Sequence, residues 1–511
     1  MSKDYASEFR EDLKEFHEMT QKFYKKEINV VQYKGFSGGF GSYAQRGGEA
    51  SMLRLRLTGG EVNKEQLTFL ADSIEKYNIN LAHLTTCESI QLHNLNELQV
   101  CSLIEEAFDH GIITRGGGGD FPRNVMCSPL SGVQKEESFD VLPYAKIAGD
   151  YLLGFIKTVT LPRKLKVCFS NGADNSVHAT FRDLGFVAEK DGTFTVYSAG
   201  GLGRNPRMGA KVAEHVEPSK ILYYIKAMVE TFIAHGNYEN RAAARTRFMQ
   251  ETLGTEGYIN AYQEKLAHVL ATEKLDIELP SSTITKTGEG NITHSRAVAQ
   301  KQSGLYAVSY HPLGGNPAPE FFRNLSNVIK DMEDVKVRIA PDESLYIINL
   351  TASEAEQVLA LTKDSATTLF ETSVACIGAA ICQVGARDSQ SLLDACIKRV
   401  RQENFKDGVL PKIHVSGCPS SCSAHQIGSL GFRGGVKQTP DGPKPAFAVY
   451  EQGSESFGAE NFGTDLGVML EEEIPEFFVE LGNAITAAGT TYDTFVANNR
   501  DEFMEIVKKY I

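Results

Sequence analysis

The chain has 511 residues, 42% of them hydrophobic, and a net charge of −13, which predicts a globular protein of two to four domains. The acidic balance excludes a general nucleic-acid or anionic-membrane surface, though not a local basic pocket. No apolar run approaches the roughly 20 residues of a membrane span.

The N-terminal stretch "MSKDYASEFREDLKEFHEM" is charged and helix-like and has no apolar signal core, so a cytoplasmic location is expected. Nine cysteines, an odd number, are not expected to form a disulfide framework in a reducing compartment.

Basic residues then come in clusters. "MLRLRLTGG" (52–60) reads as a strand with Arg54 and Arg56 on one face. "FPRNVMC" holds Arg123 behind a run of glycines, 116–119. "LPRKLKVCF" leads Arg163, Lys164 and Lys166 into a strand, the two lysines sharing a face. "AGGLGRNPRMG" (199–209) joins a glycine loop to Arg204 and Arg207, and "ENRAAARTRFM", read as a helix, adds Arg241, Arg245 and Arg247. Any one of these alone reads as solvated surface charge. Together they abut glycine loops, where backbone is expected to approach a ligand closely. Such a pocket suits a polyanion with several carboxylates or phosphates. A nucleotide is disfavoured, because "GGLGRNP" lacks the G-x-G-x-x-G spacing and there is no P-loop.

The chain also repeats itself. "LAHLTTCESIQLHNL" (81–95) matches "KVRIAPDESLYIINL" (336–350) at an offset of 255, with Glu88/Glu343, Ser89/Ser344, Asn94/Asn349 and Leu95/Leu350 identical. Each copy reads as a strand, a Gly-Gly turn, an amphipathic helix and two short strands. A second pair, "VCFSNGADNSVHATFRDLGF" (167–186) and "IHVSGCPSSCSAHQIGSLGF" (413–432), follows at an offset of 246. Two matches in the same order predict two related halves, each an α+β unit followed by an α/β unit.

Only the second half is rich in cysteine. "ACIGAAIC" gives Cys376-x5-Cys382, and "GCPSSC" gives Cys418-x3-Cys422, where the first half has Ser176 in the place of Cys422. Small buried thiols, a structural zinc and an iron–sulfur cluster held by four thiolates are the alternatives, and the cluster fits best. Pro419 suits a first helical position, so a helix is expected to run on through "SSCSAHQIG", with Cys422 in its opening turn. His414 and His425 flank the motif without metal-binding spacing.

These motifs, in this order, resemble the assimilatory sulfite and nitrite reductases that couple sirohaem to a 4Fe–4S cluster, from about residue 35 to the end. The resemblance implies an α+β, three-domain, pseudo-twofold architecture: an extension 1–50, ferredoxin-like half-domains 51–115 and 302–366, a sirohaem and substrate domain 116–301, and an iron–sulfur and sirohaem domain 367–511. It implies that Cys376, Cys382, Cys418 and Cys422 hold the cluster and that Cys422 also bridges to the sirohaem iron. Arg54, Arg123, Lys164 and Lys166 are implied as the catalytic cations that bind the substrate oxyanion. Arg56, Thr85, Gln91, Arg163, Gly200, Gly201, Arg204 and Arg207 are implied as cofactor contacts. The implied reaction is six-electron reduction of sulfite to sulfide, favoured by Lys166 where nitrite enzymes tend to have Asn, with nitrite reduction to ammonia as the alternative. An iron–sulfur electron carrier is the alternative of another class, and it has no need of the four cations. With no flavin or nicotinamide module in the sequence, the electrons are expected from a ferredoxin or a flavoprotein subunit. Cys87, in "TTCESIQLH", departs from the pattern, since the family has an Arg there, and Ser420 stands where Asn is common.

Overall fold

The computed structural model describes residues 5–279 and 284–511. The first four residues of the helix-like N-terminal stretch lie outside the described residues, as do residues 280–283 of the expected 116–301 domain. The rest of that N-terminal stretch is helical, Tyr5–Arg10 and Leu13–Tyr24. Among the described residues no helix is long and apolar enough to cross a membrane. Contacts divide the chain into two compact units. Unit 1 comprises residues up to 201, 207–310 and 317–363; unit 2 comprises 202–206, 311–316 and 364–511.

In chain order the strands of the first half are β1 (Ser42–Ala44), β2 (Ser51–Arg56), β3 (Glu61–Val62), β4 (Ala82–Leu84), β5 (Ser89–Leu95), β6 (Met126–Cys127), β7 (Val167–Ser170), β8 (Leu184–Ala188), β9 (Phe194–Ser198) and β10 (Ala210–Val216). Those of the second half are β11 (Ala297–Ala299), β12 (Tyr306–Tyr310), β13 (Lys336–Ile339), β14 (Leu345–Leu350), β15 (Val374–Ala375), β16 (Ile413–Ser416), β17 (Leu430–Thr439), β18 (Gly442–Glu451) and β19 (Thr464–Leu470).

The repeats read from the sequence are repeats of structure. β1-β2-β5-β4 and β11-β12-β14-β13-β3 are antiparallel sheets of matching order, the second closed by β3 from the first half. The matched residues share backbone conformations that side chains rarely adopt. Glu88 and Glu343 have φ of +53° and +65°, and Asn94 and Asn349 have +60° and +64°. Leu53, Leu55, Ile90 and Leu92 of one sheet and Val308, Val337 and Ile347 of the other bury their side chains in one core, with helix Lys64–Lys76 and helix Pro319–Ile329.

The second repeat is closer still. β6, β7 and β8 run parallel and β9 and β10 turn back antiparallel; β15, β16 and β17, then β18 and β19, do the same. Phe169 pairs with Phe186 and, at the 246 offset, Val415 with Phe432. Gly185 and Gly431 hold corresponding places, and a Cβ on either would collide with the carbonyl oxygen of Ala179 or of His425, residues that are again 246 apart. One structural requirement for glycine is thus preserved in both copies.

Candidate active site

In unit 1 the cations converge on the glycine run. Arg54 leaves β2 and Arg123 follows the glycines. Arg54 Nη1 donates to the Gly117 carbonyl at 2.6 Å, and Arg123 Nη1 donates to the same oxygen at 2.9 Å. Arg123 Nη2 donates to Gly119 O at 2.9 Å. Burial pulls the Arg123 guanidinium down to about 10, with Arg54 and Arg163 adding repulsion against the pull of Tyr43 and Cys87. Tyr43 Oη accepts from Gly119 N–H at 2.7 Å. Burial pushes that phenol up, but Arg123, the Gly119 amide and Arg54 outweigh it, and its pKa lies below the ordinary value.

The glycines do not leave the space for a ligand that the sequence suggested. A Cβ on Gly118 would strike the Gly38 carbonyl and the Tyr43 ring, and one on Gly117 would sit 2.8 Å from Thr114 O. The run is glycine so that the protein's own backbone can close around the arginines. Gly200 is likewise filled, its Cβ position 2.6 Å from the Phe181 backbone, whereas at Gly201 only Arg247 comes near, at 3.5 Å.

Arg54 is aimed by a chain of polar side chains. The Gln91 amide, with its oxygen towards Arg54, accepts from Nη2 at 2.7 Å and donates to His93 Nε2 at 3.1 Å. His93 Nδ1 then donates to Gln45 Oε1 at 3.2 Å. Burial, with His83 and Arg54 nearby, holds His93 down to about 3, so the ring is neutral and keeps this donor–acceptor order.

Lys164 and Lys166 flank Leu165, which pairs with the chain beside Arg123: Arg123 N–H donates to Leu165 O at 2.8 Å. Lys166 N–H donates to the buried Asp183 carboxylate at 2.8 Å. Its Nζ lies 3.1 Å from Cys87 Sγ. Cys87 sits in the turn between β4 and β5, where Thr85 Oγ1 accepts from Ser89 N–H at 3.2 Å. Asn124 Nδ2 donates to the carbonyls of Leu57, Cys87 and Glu88 at 2.8, 3.0 and 3.1 Å, which ties this turn to the residue after Arg123. Burial alone would raise the Cys87 thiol, but Lys166, Arg182 and Arg54 overcome it and bring it to about 6.

The other expected contacts have partners within the protein. Arg56 is 5% exposed and donates through Nη1 to Arg115 O at 3.3 Å and Pro122 O at 3.2 Å. Arg163 pairs with Asp120, which also accepts from Arg241 Nη1 at 2.7 Å. Arg207 pairs through its backbone with Gly201 at 2.9 Å, and Arg204 is exposed. "ENRAAARTRFM" is not one helix: a single 3-10 turn spans Arg241–Ala243, and the helix begins at Arg247. Tyr43, Arg182 and Asp120 escaped sequence reading. For Arg182 a signal was present, since it precedes the repeated Leu-Gly-Phe.

In unit 2 the parallel pair β15 and β16 brings the two cysteine motifs together. Ala375 is in register with Val415, so Cys376 and the Gly417-Cys418 segment leave the same end of neighbouring strands. Gly417 N–H donates to Cys376 Sγ at 3.2 Å, Ser389 Oγ lies 3.1 Å from the same sulfur, and the amides of Ala386 and Arg387 both donate to Gly417 O at 2.9 Å. Cys422 is exposed, and Cys376, Cys382 and Cys418 are half-buried. Among the described residues no three His, Cys, Asp or Glu side chains close on a single-ion site. A four-iron cluster takes one thiolate per iron and so spreads its sulfurs wider than one ion would. Four cysteines on two joined loops, one sulfur already receiving a backbone N–H, suit such a cluster.

The helix expected after Pro419 is absent. Ser421 and Ala424 have φ of +53° and +56°, and the segment advances by turns, Ala424 N–H to Ser421 O and Ile427 N–H to Ala424 O. No helix dipole acts on Cys422. Ser420 is exposed, while Ser421 is buried and bonded to Gln426, whose amide donates to Gly203 O at 2.9 Å.

Residues 118–270 match the nitrite and sulphite reductase 4Fe-4S domain, and residues 43–107 match the nitrite/sulfite reductase ferredoxin-like half domain. The four clustered cysteines lie beyond both spans. The chloroplastic ferredoxin–nitrite reductase of Zea mays is 26% identical over 76% of this chain and 70% of its own length. Sulfite reductase (ferredoxin) 2 of Mycolicibacterium paratuberculosis is 25% identical over 79% of this chain and 73% of its own. The fold matches that of the NirA protein of Mycobacterium tuberculosis, with a TM-score of 0.74, 22% identity, and coverage of 92% of this chain and 89% of that one.

Proposed function

The chain belongs to the nitrite and sulfite reductase family, and on that premise we propose that it reduces sulfite to sulfide in six electrons, with sirohaem and a 4Fe–4S cluster as its cofactors. The observation that carries the reading is the pair of guanidinium groups, Arg54 and Arg123, on one carbonyl, with Lys166 close by.

Cys376, Cys382, Cys418 and Cys422 would hold the cluster, and Cys422 would also hold the sirohaem iron. When bound, the two groups supply electrons one at a time and an open iron position. Arg54 and Arg123 hold the anion's oxygens by charge-assisted hydrogen bonds and offset its charge. The shared Gly117 carbonyl and the Gln91 relay fix the two guanidinium groups before the anion arrives, so no reorganisation is needed. Lys164 and Lys166 donate protons from Nζ as oxygens leave as water. Burial lowers the Lys166 pKa and makes it a stronger acid. Tyr43 Oη, acidified by the same arginines, is a further donor. Gly200, Gly201, Arg204 and Arg207 would contact sirohaem when it is bound. Arg56, Thr85, Gln91 and Arg163 act through the neighbours they bond.

The electron donor is a ferredoxin, as the names of the relatives suggest for those enzymes, or a flavoprotein subunit, and the enzyme works in the cytoplasm. Nitrite reduction to ammonia is the second reading, favoured by the sulfur beside Lys166. An optical spectrum of the purified protein, followed by turnover of both anions with an artificial one-electron donor, tests the proposal. Sirohaem bands and turnover are expected, and a colourless protein overturns the reading.

A further inference from the structure

Lys166 does not stand alone as a cation. Its ammonium is 3.1 Å from Cys87 Sγ, and the geometry around that sulfur is built. The turn that carries it is pinned from one side by Thr85 Oγ1 and from the other by Asn124 Nδ2. The groups facing the sulfur come from four separate segments: Lys166 ahead of β7, Arg182 ahead of β8, Arg54 on β2 and Arg123 after the glycine run. On its own turn the neighbour Glu88 is completely buried, which raises that carboxyl well above its ordinary value. Negative charge reaches these cations from the buried Asp183 carboxylate, which Lys166 N–H and Arg245 already bind, from Tyr43, acidified by Arg123 and Arg54, and from the Cys87 thiol, which burial pushes up and Lys166, Arg182 and Arg54 bring down to about 6; of these the sulfur is the one beside Lys166 Nζ.

Resting on the reaction assigned above, we propose that Cys87 is a specificity-determining residue of the anion site. Its sulfur, paired with Lys166, cancels one charge of the cation cluster and tilts preference from a doubly charged oxyanion towards a singly charged one. Above neutral pH sulfite carries two charges and nitrite one. A cluster with one net charge fewer loses more attraction for the former than for the latter. Cys87 does not touch the anion; it acts through the charge on Lys166.

The test uses the purified holoenzyme and the variants Cys87→Ser, which removes the charge at nearly constant shape, and Cys87→Asp, which keeps it. At pH 8 the ratio of kcat/KM for sulfite to that for nitrite should rise about tenfold in Cys87→Ser and stay within about threefold of the parent in Cys87→Asp. The infrared difference spectrum between parent and Cys87→Ser should show no S–H stretching band at pH 8, and one should emerge below pH 5. An S–H band at pH 8, or a ratio unmoved in Cys87→Ser while the parent reduces either anion, overturns the inference alone. A parent enzyme that reduces neither anion overturns the assigned reaction and this inference with it.

Discussion

Arg54 and Arg123 donate to one and the same acceptor, the carbonyl of Gly117. Two like charges are thereby held side by side by backbone, and the structure bears their repulsion where an anion would relieve it. Arg123→Lys keeps the charge but loses the second donor, the one now on Gly119 O. It should cut kcat/KM for the preferred anion by about 10²-fold with little change in thermal midpoint. Steady-state kinetics checks this, and parent-like activity would remove Arg123 from the anion site.

Gln91 aims Arg54 without reaching the anion. Gln91→Leu should lower kcat/KM about tenfold while leaving cofactor content intact. Iron and sirohaem content measured beside the kinetics separates the two, and loss of cofactor with no kinetic defect per loaded site would return Gln91 to a cofactor contact.

How legible was this site in the sequence? The alternation in "MLRLRLTGG" placed Arg54, and the fixed offsets placed the repeats, because strand periodicity and duplication leave direct marks. Partners could not be read. Cys87 and Lys166 are 79 residues apart, and no local pattern announces a contact between a turn and the start of another strand. The glycine run was visible but its reason was not, since what a Cβ would strike depends on Gly38 and Tyr43 far upstream. The segment after Pro419 read as a helix because Ser421 and Ala424 carry no signal for the left-handed conformation that breaks it.

Acid should weaken the fold. Burial holds His93 and His425 at about 3, below the 6.5 of a free imidazole, with Arg54 and Arg433 among the contributors. The unfolded chain takes up protons at these rings as pH falls through about 6.5, while the folded chain does so only near 3. Stability is thus full above about 6.5 and is lost below it. At pH 5 each ring costs about 2 kcal/mol. Urea midpoints at pH 7 and pH 5 should show the drop. His425, whose ring nitrogens have no hydrogen-bond partner among the described residues, offers the control: His425→Phe should roughly halve the drop, and an unchanged drop would place the protons elsewhere.

Gly431→Ala would press a methyl group onto the His425 carbonyl, at the close contact preserved from Gly185 and Ala179. The cost should be about 3 kcal/mol or more, read as a fall in thermal midpoint. A variant as stable as the parent would mean that the loop between Cys422 and β17 yields more readily than the duplicated contact suggests.

β3 belongs by sequence to the first copy, yet it completes the sheet of the second, where Arg338 and Glu61 form a salt bridge of 2.8 Å. The lent strand therefore ties the two copies together by main-chain hydrogen bonds as well as by that ion pair. It also means that the halves are no longer separable parts. A fragment ending before β11 would carry an unpaired strand, and its complement an open sheet edge, so each would be a sticky surface until it met the other.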